Sequence, residues 1–238
     1  METWLIVPLV LAVLVGIMFV AKRSIVASLE GLVRRLFHHY YYWDADSTWM
    51  NTRWMGVPLL KLPLDLWIYQ EILSETRPHL IIETGTAYGG SALYFAHLMD
   101  IIGEGKVVSI DLKRRDKDVP KHPRIEYILD SSTNPDVIAR VQSMISPGDR
   151  VMVVLDSDHS ARHVKAEMAA YGPMVSKGCY MVVEDTNVGG YPVYKSFGAG
   201  PMDAIDPFLQ ANSDFFIDET KERFKISFNP RGWLKRRG

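Results

Sequence analysis

Apolar residues follow two rhythms along this chain. From Pro78 onward, short unbroken apolar runs alternate with stretches in which apolar positions recur every three or four residues. Unbroken runs of that length predict strands buried on both faces, and the 3.6-residue period predicts helices that cover them. HLIIETG reads as a strand ending at Glu83, KVVSIDL as one ending at Asp111, and RIEYILD as one ending at Asp130. DRVMVVLDSD and GCYMVVED supply two more, ending at Asp156 and Glu184. Between them SALYFAHLMDII, PDVIARVQSMI and SARHVKAEMAAYGPMV carry the helical period. The segment DFFIDETKERFKISFNPRGW has two β-rich runs and no helical stretch, so a hairpin is expected to add the last two strands. The fold class predicted is α/β: a doubly wound, mostly parallel seven-stranded sheet of Rossmann-like type, with one strand forced antiparallel.

The N-terminal part follows a different pattern. Trp4 to Ala21 carries no charge, and about 18 residues at 1.5 Å rise give roughly 27 Å of helix, close to the hydrocarbon thickness of a bilayer. Lys22, Arg23, Arg34 and Arg35 follow it, and only Glu2 and the amino terminus precede it. A cleaved secretory signal wants basic residues before the apolar run. The pattern therefore predicts a retained helix spanning or anchoring to a membrane, with the remainder of the chain cytoplasmic. The other reading is an apolar helix packed on the domain or against a second protomer, which would make the chain a homo-oligomer. Residues 24 to 45 have helical spacing with aromatic and basic residues interleaved, which suits a helix at a membrane interface or one packed on the domain. An amphipathic helix is expected near Leu64 to Ser74. The chain thus divides into a membrane-anchor helix (1–23), an aromatic and basic entry segment (24–62) and a catalytic-type domain (63–238).

Composition narrows the function classes. The chain has 238 residues, 47% of them hydrophobic, and a formal charge of -1, enough for one sizeable core and without the basic footprint of a nucleic-acid binder. The single cysteine, Cys179, has no partner in the chain, which points to a reducing compartment.

In an open α/β sheet, ligands bind beyond the carboxyl ends of the strands. Glu83, Asp111, Asp130, Asp156 and Glu184 with Asp185 all fall there. Each acid alone reads as a cap for the next helix; the row of them asks for a cationic or hydroxyl-rich partner. Adjacent carboxylates at Glu184 and Asp185 imply something positive between them. The loop ETGTAYGGS follows a strand and opens a helix, with Gly85 and Gly89 permitting close backbone approach. It lacks the lysine of a phosphate-binding loop. An acid two residues before the first glycine suits a ligand with a positive end, such as S-adenosylmethionine, with Glu83, Gly85, Thr86, Gly89 and Ser91 as candidate contacts. Asp111 is placed to accept from two ribose hydroxyls, Asp130 with Ser131 to address the adenine, and Asp156 to border the same ligand.

The run LWIYQEILSETRPHLIIETGTAYGGSALYFAHLM, then VLDSDHS, VVEDTNVGG and SFNPRGWLKR, resembles the cephalosporin hydroxylase/rhamnosyl O-methyltransferase family over about Trp43 to Arg237. The resemblance implies a class I methyltransferase fold, S-adenosylmethionine and Mg²⁺ as cofactors, and a saccharide hydroxyl, free or lipid-linked, as acceptor. It implies Asp156, Glu184 and Asp185 as metal ligands and His159 as general base. Three carboxylates without a cysteine or histidine pair suit a hard cation. His159 also reads as a cap for the helix at Ser160. Two alternatives stay open at this point: a hydroxylase of a small natural product, and a non-catalytic membrane scaffold of methyltransferase-like fold. The aromatic group Tyr40, Tyr41, Tyr42, Trp43, Trp49 and Trp54 reads as an acceptor platform or as packing, and Tyr191 with SFGAGP as a lid.

Overall fold

The computed structural model describes residues 3–113 and 119–238, with side chains from residue 18 onward. Seven strands form one sheet: β1 (Leu80–Thr84), β2 (Lys106–Asp111), β3 (Ile125–Leu129), β4 (Val151–Leu155), β5 (Tyr180–Val183), β6 (Phe215–Ile217) and β7 (Trp233–Arg236). Their spatial order is β3-β2-β1-β4-β5-β7-β6. The first five pair in parallel, Leu80 lying opposite both Lys106 and Val151, while β7 runs antiparallel to β5 and β6. The expected doubly wound sheet with one reversed strand is therefore present.

Alternation along the strands divides the core in two. Leu80, Ile82, Val151, Val153 and Leu155 pack beneath α4 (Pro135–Ser143), α5 (Ala161–Tyr171) and α6 (Met202–Ala211). Ile81, Met152, Val154, Val182 and Trp233 pack against α2 (Pro63–Thr76) and α3 (Gly90–Ile102). Because both faces are covered, the strands read as continuous apolar runs. Burying side chains of this size stabilises by about 1.5–3 kcal/mol each, before the entropy of ordering them is subtracted.

Two features depart from the sequence reading. The run around Phe224–Phe228, expected as a strand, is loop, and β7 begins only at Trp233. The Phe228 N–H donates to Asp65 and its carbonyl accepts from Asn187, so neither is free for a ladder. Helix α6 was not anticipated, although Met202, Ile205 and Phe208 repeat at helical spacing and are buried.

At the N-terminus one helix, α1 (Thr3–Trp43), passes through position 23 without a break. Among the described residues no helix is long and apolar enough to cross a membrane; the greater part of the apolar run 4–21 lies outside the described side chains. The last turns of α1 are docked. His38 is fully buried, with Phe228 6.0 Å away between ring centres, and Tyr42 packs on the same ring at 5.2 Å. The Asn187 amide donates to His38 Nδ1 at 3.3 Å and to the Tyr42 hydroxyl at 3.1 Å.

Burial, with Arg34 and His39 adding, pulls His38 down to about 4. An unfolded histidine titrates near 6.5. The folded value is the lower one, so this group's contribution to stability is present above pH 6.5 and is lost as pH falls from 6.5 toward 4. On the order of 1–3 kcal/mol is at stake. Protease cleavage near Trp43–Asn51 is expected to accelerate across that window, and His38→Gln to flatten the dependence; identical profiles for the two proteins would rule His38 out as the source.

Candidate active site

The carboxyl ends of β1, β2 and β4 open into a cleft of about 750 Å³. The turn after β1 is its floor. Gly85 sits at φ +90°, and a side chain there would lie 1.9 Å from the Asp156 carbonyl oxygen, so only glycine allows the β1 and β4 ends to approach this closely. Asp111 braces the turn: its carboxylate accepts from the Ala87 N–H at 2.9 Å and the Lys113 N–H at 3.1 Å.

Of the cofactor, metal and base candidates read from sequence, Gly85, Asp111, Ser131, Asp156, His159 and Asp185 line this cleft. The others do not. Glu83 is fully buried and accepts from Ser109 at 2.6 Å; Thr86 shares a 2.7 Å hydrogen bond with the same serine. Burial drives the Glu83 carboxyl up to about 7, with Lys61, Ser109 and Ser91 pulling it down. Gly89 caps α3 in the left-handed conformation. Asp130 is exposed and spends its oxygens on the Ser131 N–H and on the side-chain amide of Asn134, the residue that caps α4.

The acids at the end of β4 and after β5 form the chemical centre. Ligand-type atoms of Asp156, His159 and Asp185 all lie within 4.8 Å of one another. His159 stands between the two carboxylates, Nε2 3.6 Å from Asp156 Oδ1 and Nδ1 3.3 Å from Asp185 Oδ2. Ser160, not His159, caps α5: its hydroxyl accepts from the His163 N–H. Asp185 is held at φ 52°, its N–H donating to Asn229 at 2.9 Å and its carbonyl accepting from Val188. A non-glycine residue kept in that region marks a position the surroundings over-determine. Loss of hydration pushes the Asp185 carboxyl up to about 7, with Asp156 and Glu184 adding and His159 opposing.

Glu184 lies elsewhere. Its Oε1 accepts from the Tyr69 hydroxyl and from the Lys61 ammonium, the latter at 2.9 Å, and Lys61 reaches Asp156 Oδ2 at 2.7 Å. The positive group between the acids is, in this structure, a lysine that is 3% exposed. Sequence reading passed over Lys61, Asp65 and Tyr69. They recur every four residues leading into and along α2, a spacing that places them on one side without announcing their burial. Burial, reinforced by Glu184, raises Asp65 to about 8.

Two further sets frame the cleft. Buried Glu167 accepts from Ser132 at 2.6 Å and Ser157 at 2.7 Å, beside His163, which also lines the cleft. At the mouth, Tyr42 packs against Trp49 and Tyr194 at 5.4 and 5.2 Å, and all three line the cleft. Tyr191 instead donates to Asp203 on the exposed side.

The family model described as Rhamnosyl O-methyltransferase/CmcI matches residues 46–237. A rhamnosyl O-methyltransferase of Mycobacterium tuberculosis (strain ATCC 25618 / H37Rv) is 37% identical over 93% of this chain and 99% of its own length. One from Mycobacterium leprae (strain TN) is 40% identical over 84% and 89%. Among solved structures, that described as cmcI-D160 Mg-SAM superposes with a TM-score of 0.61 at 21% identity, covering 79% of this chain and 78% of the other, which supports the fold. With a family match across most of its length and relatives this similar, the chain belongs to the rhamnosyl O-methyltransferase/CmcI family.

Proposed function

We propose that this chain, an S-adenosylmethionine-dependent O-methyltransferase by family, uses Mg²⁺ and methylates a hydroxyl of a sugar, one carried on a glycolipid or a similar saccharide-bearing product. The observation that carries the reading is the convergence of Asp156, His159 and Asp185 on a cleft floored by the Gly85 turn. Relatives named rhamnosyl O-methyltransferases support the sugar.

The residues present fit both cofactors. Two carboxylates and one imidazole within 4.8 Å suit a divalent ion, which would be held by Asp156 and Asp185, with Glu184 in reserve behind them. Such an ion would supply the positive charge that eases loss of a hydroxyl proton. The cleft volume is that of a site for a drug-sized ligand. Gly85, Asp111 and Ser131 would hold the methyl donor, whose sulfonium makes the methyl group electrophilic. His159 is the base: Asp185 orients the ring at Nδ1, leaving Nε2 to take the acceptor proton. Tyr42, Trp49 and Tyr194 close the mouth, offering ring faces against which the apolar face of a sugar can stack. The hydroxylase alternative is not favoured, because this cluster has one histidine and two carboxylates, the reverse of the usual non-haem iron triad.

The lipid part of the proposal rests on α1. Ile25, Leu29, Leu32 and Leu36 form an exposed apolar stripe, bordered by Lys22, Arg23, Arg34 and Arg35. That pattern suits the surface of an anionic bilayer, with residues 4–21 as anchor. An anchored enzyme meets an anchored acceptor at raised local concentration.

Methyl transfer to a rhamnosyl glycolipid is expected to stop in excess EDTA and to return with Mg²⁺, and His159→Ala to lower kcat by about 10²–10⁴-fold; full activity in EDTA would remove the ion from the mechanism. Trp49→Ala is expected to raise KM for the sugar about tenfold, with S-adenosylmethionine affinity unchanged in calorimetry. Flotation with anionic vesicles should be strong for the full chain and reduced when Leu29, Leu32 and Leu36 are replaced together by Glu. Equal flotation of the two would dismiss the stripe as a lipid contact.

A further inference from the structure

We propose that Lys61 is a built-in counter-cation of the acidic centre, holding Asp156 and Glu184 together in the ion-free protein and competing with the divalent ion for those carboxylates. The proposal rests on the metal reading above, and it assigns a positioning role to a residue outside the acid cluster.

The geometry is that of a clamp. The ammonium bridges Asp156 Oδ2 at 2.7 Å and Glu184 Oε1 at 2.9 Å, in a setting where the lysine and the glutamate are 3% and 4% exposed. The Tyr69 hydroxyl donates to the same glutamate oxygen, and Lys61 lies 6.0 Å from the centre of the Tyr69 ring. Burial opposes the lysine's charge, yet Asp156, Glu184 and Glu83 outweigh it and keep the ammonium protonated beyond the ordinary lysine range. Asp65, fully enclosed near the start of α2, is within the field of both Lys61 and Glu184. Lys61 thus touches two carboxylates, those of Asp156 and Glu184, and interacts electrostatically with three more, those of Asp65, Glu83 and Asp185.

A buried pair is strongly destabilised when one partner is removed, because the other charge is left uncompensated. Without Lys61 the ion-free centre would have Asp156 and Glu184 facing each other unpaired. The same carboxylates would then be free to meet a divalent ion, with no neighbouring ammonium to repel it. Lys61 therefore stabilises the empty centre and weakens the filled one. Asp156 makes this concrete: Oδ2 belongs to Lys61, while Oδ1 lies 3.6 Å from His159 Nε2.

The test compares wild type with Lys61→Met, similar in length and uncharged, by calorimetric melting in EDTA and in Mg²⁺, and by Mn²⁺ titration. Lys61→Met is expected to melt about 5 °C or more below wild type in EDTA, to gain more from Mg²⁺ than wild type does, and to bind Mn²⁺ about tenfold more tightly. An unchanged or smaller gain from Mg²⁺, or equal or weaker Mn²⁺ binding, would overturn the competition. If Lys61→Met does not fold in EDTA, the pair Lys61→Met/Glu184→Gln decides. Removing both charges should restore folding, and failure to restore it counts against the clamp. A wild type that does not respond to Mg²⁺ or Mn²⁺ would instead refute the metal reading, and neither result depends on methyl transfer.

Discussion

Negative charge crowded beyond the ends of β4 and β5 is the constraint around which this molecule is arranged. Asp156, Glu184 and Asp185 are brought together because parallel strands β4 and β5 end side by side, and the pairing of Leu155 with Val183 fixes how closely. A sheet buried on both faces gives little dielectric relief, so the acids must be met by protein groups: Lys61 from the segment leading into α2, Tyr69 from α2 itself and His159 from the loop before α5, while Asn229 from the loop before β7 holds the Asp185 backbone N–H. Elements distant in sequence are drawn in by that requirement.

Much of this was legible in the sequence. The five parallel strands announced themselves as apolar runs, each ending on an acid, and the order of elements left little freedom in topology. The ETGTAYGGS turn showed its purpose because glycine at position 85 is demanded by a backbone contact that the sequence hints at through its spacing. The lysine clamp was not legible. Lys61 sits between Leu60 and Leu62 in a proline-punctuated loop, and nothing local distinguishes a buried ammonium from a solvated one. Its burial is decided by acids 95 and 123 residues further on, in Asp156 and Glu184.

The Phe224–Phe228 misreading has a related cause. Its residues have strand character, but tertiary hydrogen bonds to Asp65 and Asn187 claim the backbone first. Strand propensity reflects fit to a half-buried pleated surface, and a loop packed under aromatic rings meets the same side-chain preferences. Asp130 differs: it holds the side chain of Asn134, the cap of the next helix, while its neighbour Ser131 faces the cleft.

Asn187 joins several of these parts. Its side chain carries α1 through His38 and Tyr42, its N–H reaches Phe228, its carbonyl takes the Val193 N–H, and it lies two residues beyond Asp185. The family match begins at residue 46, past the end of that helix. A trimmed protein cut to the matching span would therefore expose a formerly enclosed amide and the face of Phe228 right beside the acidic loop. The boundary of the family match is not the boundary of the packed unit, and expression work should keep the turns that carry His38 and Tyr42.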